Sequence, residues 1–572
     1  MQILARKSGN VLKKGTSIFI VLLLMLNVTT SFASEQFSAN LMAPLHVNDW
    51  NAFEYELKIA KDMGADGISV DVWWGDVEKN ADNQFDWSYY DTIFQKIENA
   101  GLRVVPIMSF HQCGGNVGDD YTAYLPSWVW SKYKGSNFGG LTLSENDLKY
   151  VSELGNVSNE YMSLWVDELV NNEYTDFMNS FEAQYSSKAS LFMELNVSCG
   201  PAGELRYPSY NSHDAGNTYS GYPNKGYLQS YSDIAKEDFR DSMISKYGSL
   251  SGVNQAWGLS MNSISEITPP SDGSSFFYDS SKPYLNTQYG RDFIEWYNLE
   301  LVEHGSRMLT YADNAFDGAL NNIPLGIKIP GVHWQINNSE YPRTAEINAG
   351  LISTDFSSGN SYGYGKIMDM VSDFSSPATL HFTCLEMSDY NSEATSKPKT
   401  LVGWIGDSAH TKGIDLKGEN ALNGGNDGSD FWNNINDAIQ NHNYSGLTLL
   451  RINDGVYGSS NAHFRNMANT YDDHSNPVMT FRVHGASTSF GENLYVIGNH
   501  PSLGDWNPDN ALPMYTYEYP SWTASVEDIS SGTNLEFKFI KKNGNTVTWE
   551  SNIQNRTSTL NGHTLYDGSW DQ

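Results

Sequence analysis

The stretch Leu191-Phe-Met-Glu-Leu-Asn-Val197, with Cys199-Gly-Pro-Ala-Gly-Glu-Leu-Arg-Tyr-Pro-Ser-Tyr210 after it, carries the pattern from which the architecture of this chain can be inferred. The apolar run predicts a strand, and the glycines and proline that follow end it. Glu204 is thereby placed at the exit of the strand, beside Arg206 and two tyrosines. Aromatic rings stack on sugars and partial desolvation favours a protonated carboxyl, which is typical of acid catalysis at a carbohydrate site. The alternative is a strand-end glutamate paired with Arg206, since ion pairs also gather at such turns.

The same pattern recurs between residues 40 and 455, where apolar runs alternate with segments of helical periodicity such as Ala52–Lys61 and Asp91–Ala100. The predicted strands are Leu41–Leu45, Gly67–Val72, Leu102–Ile107, Leu191–Val197, Leu325–Pro330, Thr379–Thr383, Ile414–Gly418 and Leu447–Arg451. Eight strands that alternate with helices predict an α/β fold, a (β/α)8 TIM barrel with long loop insertions. Polar residues lie at or just after the strand ends, where such barrels place their active sites, namely Asp71, His111, Glu204, His333, Thr383, Glu419 and Arg451.

The composition changes after about residue 475. The segment Asp472–Pro477 is polar and predicts a linker, and short alternating runs separated by Gly, Asn and Ser follow it. Runs such as Met479–Val483, Leu494–Ile497 and Leu535–Phe539 predict an antiparallel β-sandwich. The predicted domains are therefore a signal peptide at residues 1–33, a catalytic barrel at 34–475 and a sandwich at 476–572.

The N-terminal segment and the overall charge indicate where the protein acts. Basic residues precede the apolar run Ile18–Leu26 and the small-residue site Ser31-Phe-Ala33, as in a secretory signal peptide, so we expect a secreted, extracellular protein. The run is short for a membrane span. A formal charge of -32 argues against a nucleic-acid partner or an anionic membrane surface. The 16 Trp and 34 Tyr residues suit a neutral sugar ligand instead.

A second motif lies after the third predicted strand. His111-Gln-Cys-Gly-Gly-Asn-Val-Gly-Asp119 has the glycine content of a mobile loop, on which Asp119 could close over a substrate. Together with the stretch around Glu204, it resembles the signature pair of the β-amylases, glycoside hydrolase family 14. The resemblance spans roughly residues 38–460. Its other motifs are Asp71–Gly75, Lys328–Trp334, Phe382–Met387, Gly418–Leu422 and Leu449–Arg451.

The resemblance implies inverting, exo-acting hydrolysis of α-1,4-glucosidic bonds, with release of β-maltose from the non-reducing ends of starch, amylose and malto-oligosaccharides. It implies that Glu204 is the general acid and Glu419 the general base. The residues that it implies for substrate binding are Asp71, His111, Asp119, Lys328, His333, Thr383, Asn420, Ala421 and Arg451. Inversion needs two carboxyls separated by roughly 6.5–9.5 Å, so that water fits between them. Carboxyls from strands four and seven of a barrel suit such a gap.

Bacterial members of the family can carry a calcium ion, and the resemblance implies one structural calcium here and no organic cofactor. The matching ligands are Glu78, Asp82, Asn83, Glu173 and Asp176. Oxygen ligands from two separated segments suit a hard cation. The alternative is a solvated acidic surface.

Residues 478–572 resemble the starch-binding domains of carbohydrate-binding family 20, through Leu503–Trp506, Phe537–Phe539 and Val547–Ser551. The resemblance implies a flat platform of Trp506 and Trp549. Lys538, Glu550 and Asn555 are its implied polar partners. It also implies a second site at Phe490 and Tyr517, where phenylalanine lacks a hydroxyl. The alternative for each tryptophan is packing in the core of the sandwich.

Two other functions stay open. The first is a different amylase, retaining, endo-acting or specific for another product. The second is a starch-binding protein that has lost its activity, although the presence of both carboxyls argues against it. We expect the protein to be a monomer.

Overall fold

The computed structural model of the chain describes residues 37–114, 119–210, 214, 226–336, 343–390, 396–421, 429–471, 477–527, 529–551 and 554–572. The predicted signal peptide and residues 472–476 of the predicted linker lie outside the described residues. Within the described ranges, no helix has the length and apolar character needed to cross a membrane.

Eight parallel strands close into a barrel, as the sequence predicts. They are β1 (Ser38–Met42), β2 (Gly67–Trp73), β3 (Arg103–Ser109), β4 (Leu195–Val197), β5 (Leu325–Ile329), β6 (Ala378–Phe382), β7 (Asp415–Glu419) and β8 (Gly446–Leu449). Each strand pairs with its neighbours in the chain, and β1 closes the ring by pairing with both β2 and β8. The carboxyl ends of all eight strands therefore face the same side.

A helix follows each strand and covers the outside of the barrel. These helices are α1 (Trp50–Asp62), α2 (Ser88–Asn99), α3 (Asp167–Tyr185), α4 (Gln288–Ala315), α5 (Gly365–Ser372), α6 (Pro398–Lys412), α7 (Ser429–His442) and α8 (Gly458–Tyr471). Local sequence sets their ends. The side chain of Asp49 caps α1 by accepting hydrogen bonds from the N–H groups of Asn51 and Ala52. Helix α6 begins with Pro398 and ends at Lys412, and Gly413, whose φ of 69° is left-handed, caps its C-terminus.

Long insertions lie between these elements, as predicted. Further helices within them are Trp74–Val77, Ser127–Tyr133, Asp233–Tyr247, Leu250–Trp257, Gly273–Tyr278, Pro283–Asn286, Thr344–Asn348 and Ile452–Gly455. Two short hairpins pair Asn137–Phe138 with Leu141–Thr142 and Tyr150–Val151 with Val157–Ser158. The insertions follow the carboxyl ends of the strands, so they surround that end of the barrel.

Most strand ends differ from the prediction by one or two residues, and two strands begin three or four residues away from it. Strand β1 begins at Ser38 rather than Leu41, because Ser38–Leu41 pair with Gly446–Leu449 of β8. Strand β4 begins at Leu195, because Ser186–Leu191 form a short 3-10 helix. The side chains of Leu191 and Phe192 are buried in the core all the same. Burial accounts for their apolar character without a place in the strand.

The barrel interior holds a buried ionic group. Glu194, just before β4, accepts a hydrogen bond from Lys417 Nζ at 2.8 Å and is hydrogen-bonded to His381 Nε2. Burial would raise the pKa of Glu194, but the charges of Lys417 and His381 outweigh it and lower the pKa to about 2. Gly326 makes room for this group, since a Cβ there would lie 1.5 Å from Asn196 Oδ1.

The C-terminal part is a two-sheet sandwich. Its strands are β9 (Val478–His484), β10 (Asn493–Gly498), β11 (Leu512–Pro513), β12 (Tyr515–Glu518), β13 (Ser521–Val526), β14 (Asn534–Asn543), β15 (Thr546–Trp549), β16 (Arg556–Thr559) and β17 (His563–Ser569). One sheet has the order β12-β13-β9-β17, and the other joins β11, β10, β14 and β15, with β16 also on β14. The prediction of an antiparallel sandwich needs one correction: β9 and β17 pair in parallel, because the last strand returns beside the first in the same direction.

The sandwich packs directly on the barrel. Asp62, at the end of α1, is buried, and the backbone carbonyl of Asp62 accepts a hydrogen bond from Arg465 of α8. The carboxylate of Asp62 accepts one from the hydroxyl of Tyr515 at 3.4 Å. Burial raises the pKa of Asp62 to about 6 and lowers that of Arg465 to about 10. The contact is therefore a desolvated polar interface between two modules.

Candidate active site

A cleft opens at the carboxyl ends of the barrel strands. Ten of the eleven predicted catalytic and substrate-binding residues line it, namely Asp71, His111, Asp119, Glu204, Lys328, Thr383, Glu419, Asn420, Ala421 and Arg451. His333 does not belong to the lining. Its ring is buried, with Nδ1 2.8 Å from Ser396 Oγ and its centroid 4.4 Å from that of Trp334.

The turn after β4 delivers Glu204 to this cleft. Gly200 passes so close to the returning chain that a Cβ would lie 2.5 Å from the carbonyl oxygen of Glu204. Gly203 has a φ of 77° and lies against the ring of His111. The N–H of Leu205 then donates a 2.7 Å hydrogen bond to the carbonyl of Lys328 on β5. The glycines of the motif are thus required by the path of the backbone.

Glu204 is also ion-paired, as the alternative interpretation predicted. Arg206 Nε donates to Glu204 Oε2 at 2.8 Å, and its guanidinium lies 4.4 Å from the centroid of the Tyr210 ring. The side chain of Glu204 is 12% exposed, and that exposed part faces the cleft. The two interpretations therefore describe one arrangement, in which Arg206 holds a carboxyl that remains accessible to a ligand.

Glu419 is the last residue of β7 and shares a cation with Glu204. Lys328 Nζ donates to Glu419 Oε1 at 3.0 Å. Burial alone would lower the pKa of Lys328, but the negative charges of Glu419 and Glu204 raise it above its ordinary value. Lys328 therefore stays charged beside both carboxyls.

Asp71 and Arg451 face each other across the cleft. Asp71 Oδ1 accepts a 2.9 Å hydrogen bond from Ser109 Oγ, and Arg451 Nη1 lies 4.0 Å from Asp71 Oδ2. Arg451 Nη1 also donates to the carbonyl of Ala43 at 2.8 Å. Burial raises the pKa of Asp71, while the charges of Arg451 and Lys328 oppose that rise. The carboxylate of Asp71 and the guanidinium of Arg451 are therefore oriented and partly desolvated, so they can form hydrogen bonds with the hydroxyl groups of a ligand.

His111 offers a neutral hydrogen-bonding group. Burial, with the nearby charges of Lys328 and Arg206, lowers the pKa of His111 to about 3. Its Nδ1 atom is buried and has no hydrogen-bond partner within the described part of the chain. A buried polar atom of this kind is costly unless a ligand or a water satisfies it.

The loops after β6, β7 and β8 hold the rest of the lining. Thr383 Oγ1 accepts from the N–H of Gly331 at 2.8 Å. The side chain of Asn420 spans the backbone of Leu450, with bonds of 2.7 and 3.1 Å. The N–H of Ala421 donates to both carboxylate oxygens of Glu386, at 3.0 and 3.1 Å.

Residues that were not predicted also contribute to this site, among them Glu386 and Trp73. Glu386 is buried and anchors the turn next to Glu419, and its position in the Phe382–Met387 motif was the available signal. Trp73 lines the cleft, and its indole N–H donates to the carbonyl of Leu45 at 2.9 Å. An aromatic residue just past the predicted end of β2 was the signal for it.

Asp119 lies at the edge of the cleft, after residues 115–118, which are outside the described residues. Its Oδ2 atom accepts a 3.0 Å hydrogen bond from the N–H of Gly114. Cys113, in the same loop, is buried and has a free thiol, as have Cys199 and Cys384.

Three of the residues predicted to bind calcium, Glu78, Asp82 and Glu173, come together, and protein donors contact oxygens of each of them. Lys132 Nζ lies 2.6 Å from both Asp82 Oδ2 and Glu173 Oε1. Among the residues that the structure describes, no group of three or more His, Cys, Asp or Glu side chains is arranged to hold a metal ion. The predicted calcium site is therefore not supported, because a cationic side chain lies where its ligands converge.

The sandwich presents two aromatic features. Trp549, on β15, is 38% exposed, and Trp506 is half-buried, in contact with the cluster around Ile540. Of their predicted polar partners, Lys538 Nζ donates to the carbonyl of Glu550 at 3.4 Å, and Asn555 is exposed. The carboxylate of Glu550 is buried and bonded to Arg556, so it holds the sheet rather than facing a ligand.

The predicted second site of the sandwich is only partly visible. Phe490 is fully exposed. Tyr517 lies on β12, and its side chain is outside what the structure describes. Tyr519 is 56% exposed, and the N–H of Thr488 donates to its hydroxyl at 2.9 Å, which ties Tyr519 to the loop of Phe490.

Comparison with known proteins places both parts of the chain. Residues 40–473 match the family described as Glycosyl hydrolase family 14, and residues 477–567 match the Starch binding domain. The Thermophilic beta-amylase of Thermoanaerobacterium thermosulfurigenes is 38% identical over 569 residues, which cover 96% of each chain. The Beta-amylase of Bacillus cereus is 38% identical over 545 residues, or 93% of each chain. The crystal structure of the catalytic domain of beta-amylase from Paenibacillus polymyxa has a TM-score of 0.67 at 37% identity, and covers 77% of this chain and 99% of that one.

Proposed function

Since the chain belongs to glycosyl hydrolase family 14 and carries a starch-binding domain, we propose that it hydrolyses α-1,4-glucosidic bonds of starch and releases β-maltose from non-reducing ends. The observation that supports this most is the pair of carboxyls in one cleft. Glu204 and Glu419 come from β4 and β7, and Lys328 lies beside both. Two carboxyls with separate tasks are what glycoside hydrolysis requires.

The two carboxyls divide the reaction between them. Glu204 gives its proton to the glycosidic oxygen as the bond between that oxygen and the anomeric carbon breaks. Glu419 takes a proton from the water whose oxygen forms the new bond at the opposite face of the ring. The configuration inverts, and the two carboxyls have exchanged protonation states until solvent restores them. The Lys328 ammonium fixes the Glu419 carboxylate through a charged hydrogen bond to Oε1.

The remaining lining residues bind the sugar. Asp71 and Arg451 provide charged hydrogen bonds for hydroxyl groups, which are stronger than neutral ones. His111, neutral because of its low pKa, can satisfy its unpartnered Nδ1 with a sugar hydroxyl. Asn420 and Ala421 keep the turn beside Glu419 in place through Leu450 and Glu386.

The sandwich keeps the enzyme on its substrate. Trp549 and Trp506 form the platform of the proposed site, with Lys538 and Asn555 at its polar edge. The second site is proposed at Phe490, which is exposed, and Tyr517, and Tyr519 is bonded to the same loop as Phe490. We further propose that the protein is secreted, on the basis of the signal-peptide pattern in its N-terminal sequence. We also propose that it acts as a monomer.

The decisive experiment is the anomeric configuration of fresh product. Maltose released from soluble starch, followed by proton NMR in the first minutes, should appear as the β anomer and then mutarotate. Initial α-maltose would establish a retaining enzyme and remove the roles given to Glu204 and Glu419. Longer oligosaccharides with a rapid fall in viscosity would indicate endo action instead.

A further inference from the structure

The acidic cluster of Glu78, Asp82, Asn83, Glu173 and Asp176 contains an ammonium group from another element. Lys132 lies in the last turn of the helix Ser127–Tyr133. Its Nζ atom is 2.6 Å from Asp82 Oδ2, in the loop after β2, and 2.6 Å from Glu173 Oε1, on α3. One lysine thus joins three segments that are separate in the chain.

Both oxygens of Glu78, and the Glu173 oxygen next to Lys132, have further protein donors. Glu78 Oε2 accepts from the indole N–H of Trp74 at 2.7 Å, and Oε1 accepts from the N–H of Asn83. The hydroxyl of Tyr133 donates to the same Glu173 oxygen that binds Lys132. Calcium in proteins takes six to eight oxygen ligands at about 2.3–2.6 Å. It would have to displace both an ammonium and several hydrogen bonds to obtain them here.

Two aromatic rings also lie close to the ammonium group of Lys132. The side chain is 36% exposed, and Nζ lies 5.4 Å from the ring centroid of Trp128 and 5.5 Å from that of Tyr133. Aromatic faces attract a cation at such distances. Glu173 is 2% exposed and so depends on a nearby positive charge, since a buried carboxylate without a partner is strongly unfavourable.

We propose that Lys132 is the built-in counter-ion of this cluster, and that its ammonium takes the place of a divalent metal. The stability of the protein is then independent of calcium, and the lysine links the loop after β2 to α3 as a metal would. The proposal rests on these contacts alone and does not depend on the hydrolytic function.

Thermal unfolding of the full chain tests this directly. After dialysis against EDTA, addition of 5 mM CaCl2 or MgCl2 (roughly saturating for an extracellular calcium site) should change Tm by less than about 1 °C. Calorimetric titration with CaCl2 should show no binding at that concentration. A calcium-induced rise of more than about 2 °C, or one bound calcium per chain, overturns the proposal.

Three variants separate this role from a general loss of charge. K132Q in EDTA should lose at least about 2 °C in Tm, because Glu173 stays buried without its cation. K132R, which keeps the charge, should lose less. The matched control is K134Q, since Lys134 follows the same helix, is 59% exposed and pairs with Glu145 at 3.5 Å. If K132Q and K134Q melt together, Lys132 is an ordinary surface lysine and the proposal fails.

Discussion

At the scale of single residues, the chemistry depends on how each carboxyl is held. Glu204 is fixed by Arg206 at 2.8 Å and Glu419 by Lys328 at 3.0 Å. A carboxyl held by a cation loses little freedom when the substrate binds, which favours a productive geometry. The two cations have different neighbours. Lys328 lies beside both carboxyls, whereas Arg206 packs on the ring of Tyr210.

The division of labour can be tested with a substrate that needs no general acid. Glu204→Gln and Glu419→Gln should each lower turnover of starch by at least about 10²–10⁴-fold, because each removes one proton transfer. With α-maltosyl fluoride, whose leaving group needs no protonation, Glu204→Gln should recover most of its activity and Glu419→Gln should not. Circular dichroism and maltose binding serve as controls for folding. Equal recovery in both variants would contradict the assignment.

The carboxylate at the cleft edge gives a second residue-scale prediction. Asp119→Asn should reduce kcat/KM on soluble starch about 10–100-fold, because a charged hydrogen bond to the substrate becomes a neutral one. The matched control is Asp120→Asn, since the neighbouring Asp120 is exposed and should tolerate the change. If the Asp119 variant has wild-type kinetics, Asp119 does not bind the substrate and the loop only connects its neighbouring elements.

At the scale of elements, the strands carry functional residues at their carboxyl ends and a stabilising ionic group in the interior of the barrel. Glu194, just before β4, meets Lys417 of β7 and His381 of β6 inside the barrel. These strands are neighbours or near neighbours in the ring, so their inward side chains share one layer. Glu194 can be substituted without changing a residue that lines the cleft.

Glu194 should therefore make stability depend on pH in acid. Its folded pKa of about 2 lies below the unfolded value near 4.5, so its contribution is complete above pH 4.5 and is lost as pH falls towards 2. Between those limits the free energy of unfolding should fall by about 1.4 kcal/mol per pH unit from this group. Glu194→Gln should remove that slope and cost about 3–5 kcal/mol at neutral pH.

Chemical denaturation of both proteins between pH 3 and 7 measures this slope. Glu98→Gln, a change at a surface carboxylate paired with Lys188, is the control and should leave the pH dependence intact. Parallel curves for wild type and Glu194→Gln would show that the ionic layer contributes no proton linkage.

At the scale of the whole molecule, two modules share a buried polar interface. Asp62 of the barrel accepts hydrogen bonds from Arg465 and from Tyr515 of the sandwich, and Asn469 Nδ2 donates to the carbonyl of His563 at 2.6 Å. The loss of the sandwich is therefore a structural change for the barrel as well as the loss of a binding site. From the polar linker alone, one would expect a barrel and a sandwich that do not contact each other.

Removal of residues 477–572 should separate these effects. Activity on soluble starch should change by less than about threefold, whereas adsorption to granules should fall strongly because the tether is gone. Tm should also drop, because the barrel loses its packing against β9, β12 and β17. The double variant Trp506→Ala, Trp549→Ala is the matched control, and it should lose adsorption while Tm changes little. A truncated barrel that adsorbs as well as the full chain would remove the role given to the sandwich.

Much of this organisation follows from local sequence, because its signals lie within a few residues of one another. The alternation of apolar runs and helical segments predicts the barrel, and the motifs at the strand ends predict ten residues of the cleft lining. The glycines around Glu204 are informative for the same reason, since they report a tight local path of the backbone.

Other features depend on pairs that lie far apart in the chain, and only the folded structure brings them together. Lys328 meets Glu419 across 91 residues, Lys132 meets Glu173 across 41, and Glu386 meets Ala421 across 35. The parallel pairing of β9 with β17 and the contact of Asp62 with Tyr515 are of the same kind. Charge balance and hydrogen bonding act through space at distances of a few Å, so a calcium site and a lysine counter-ion cannot be told apart until the fold sets which groups are neighbours.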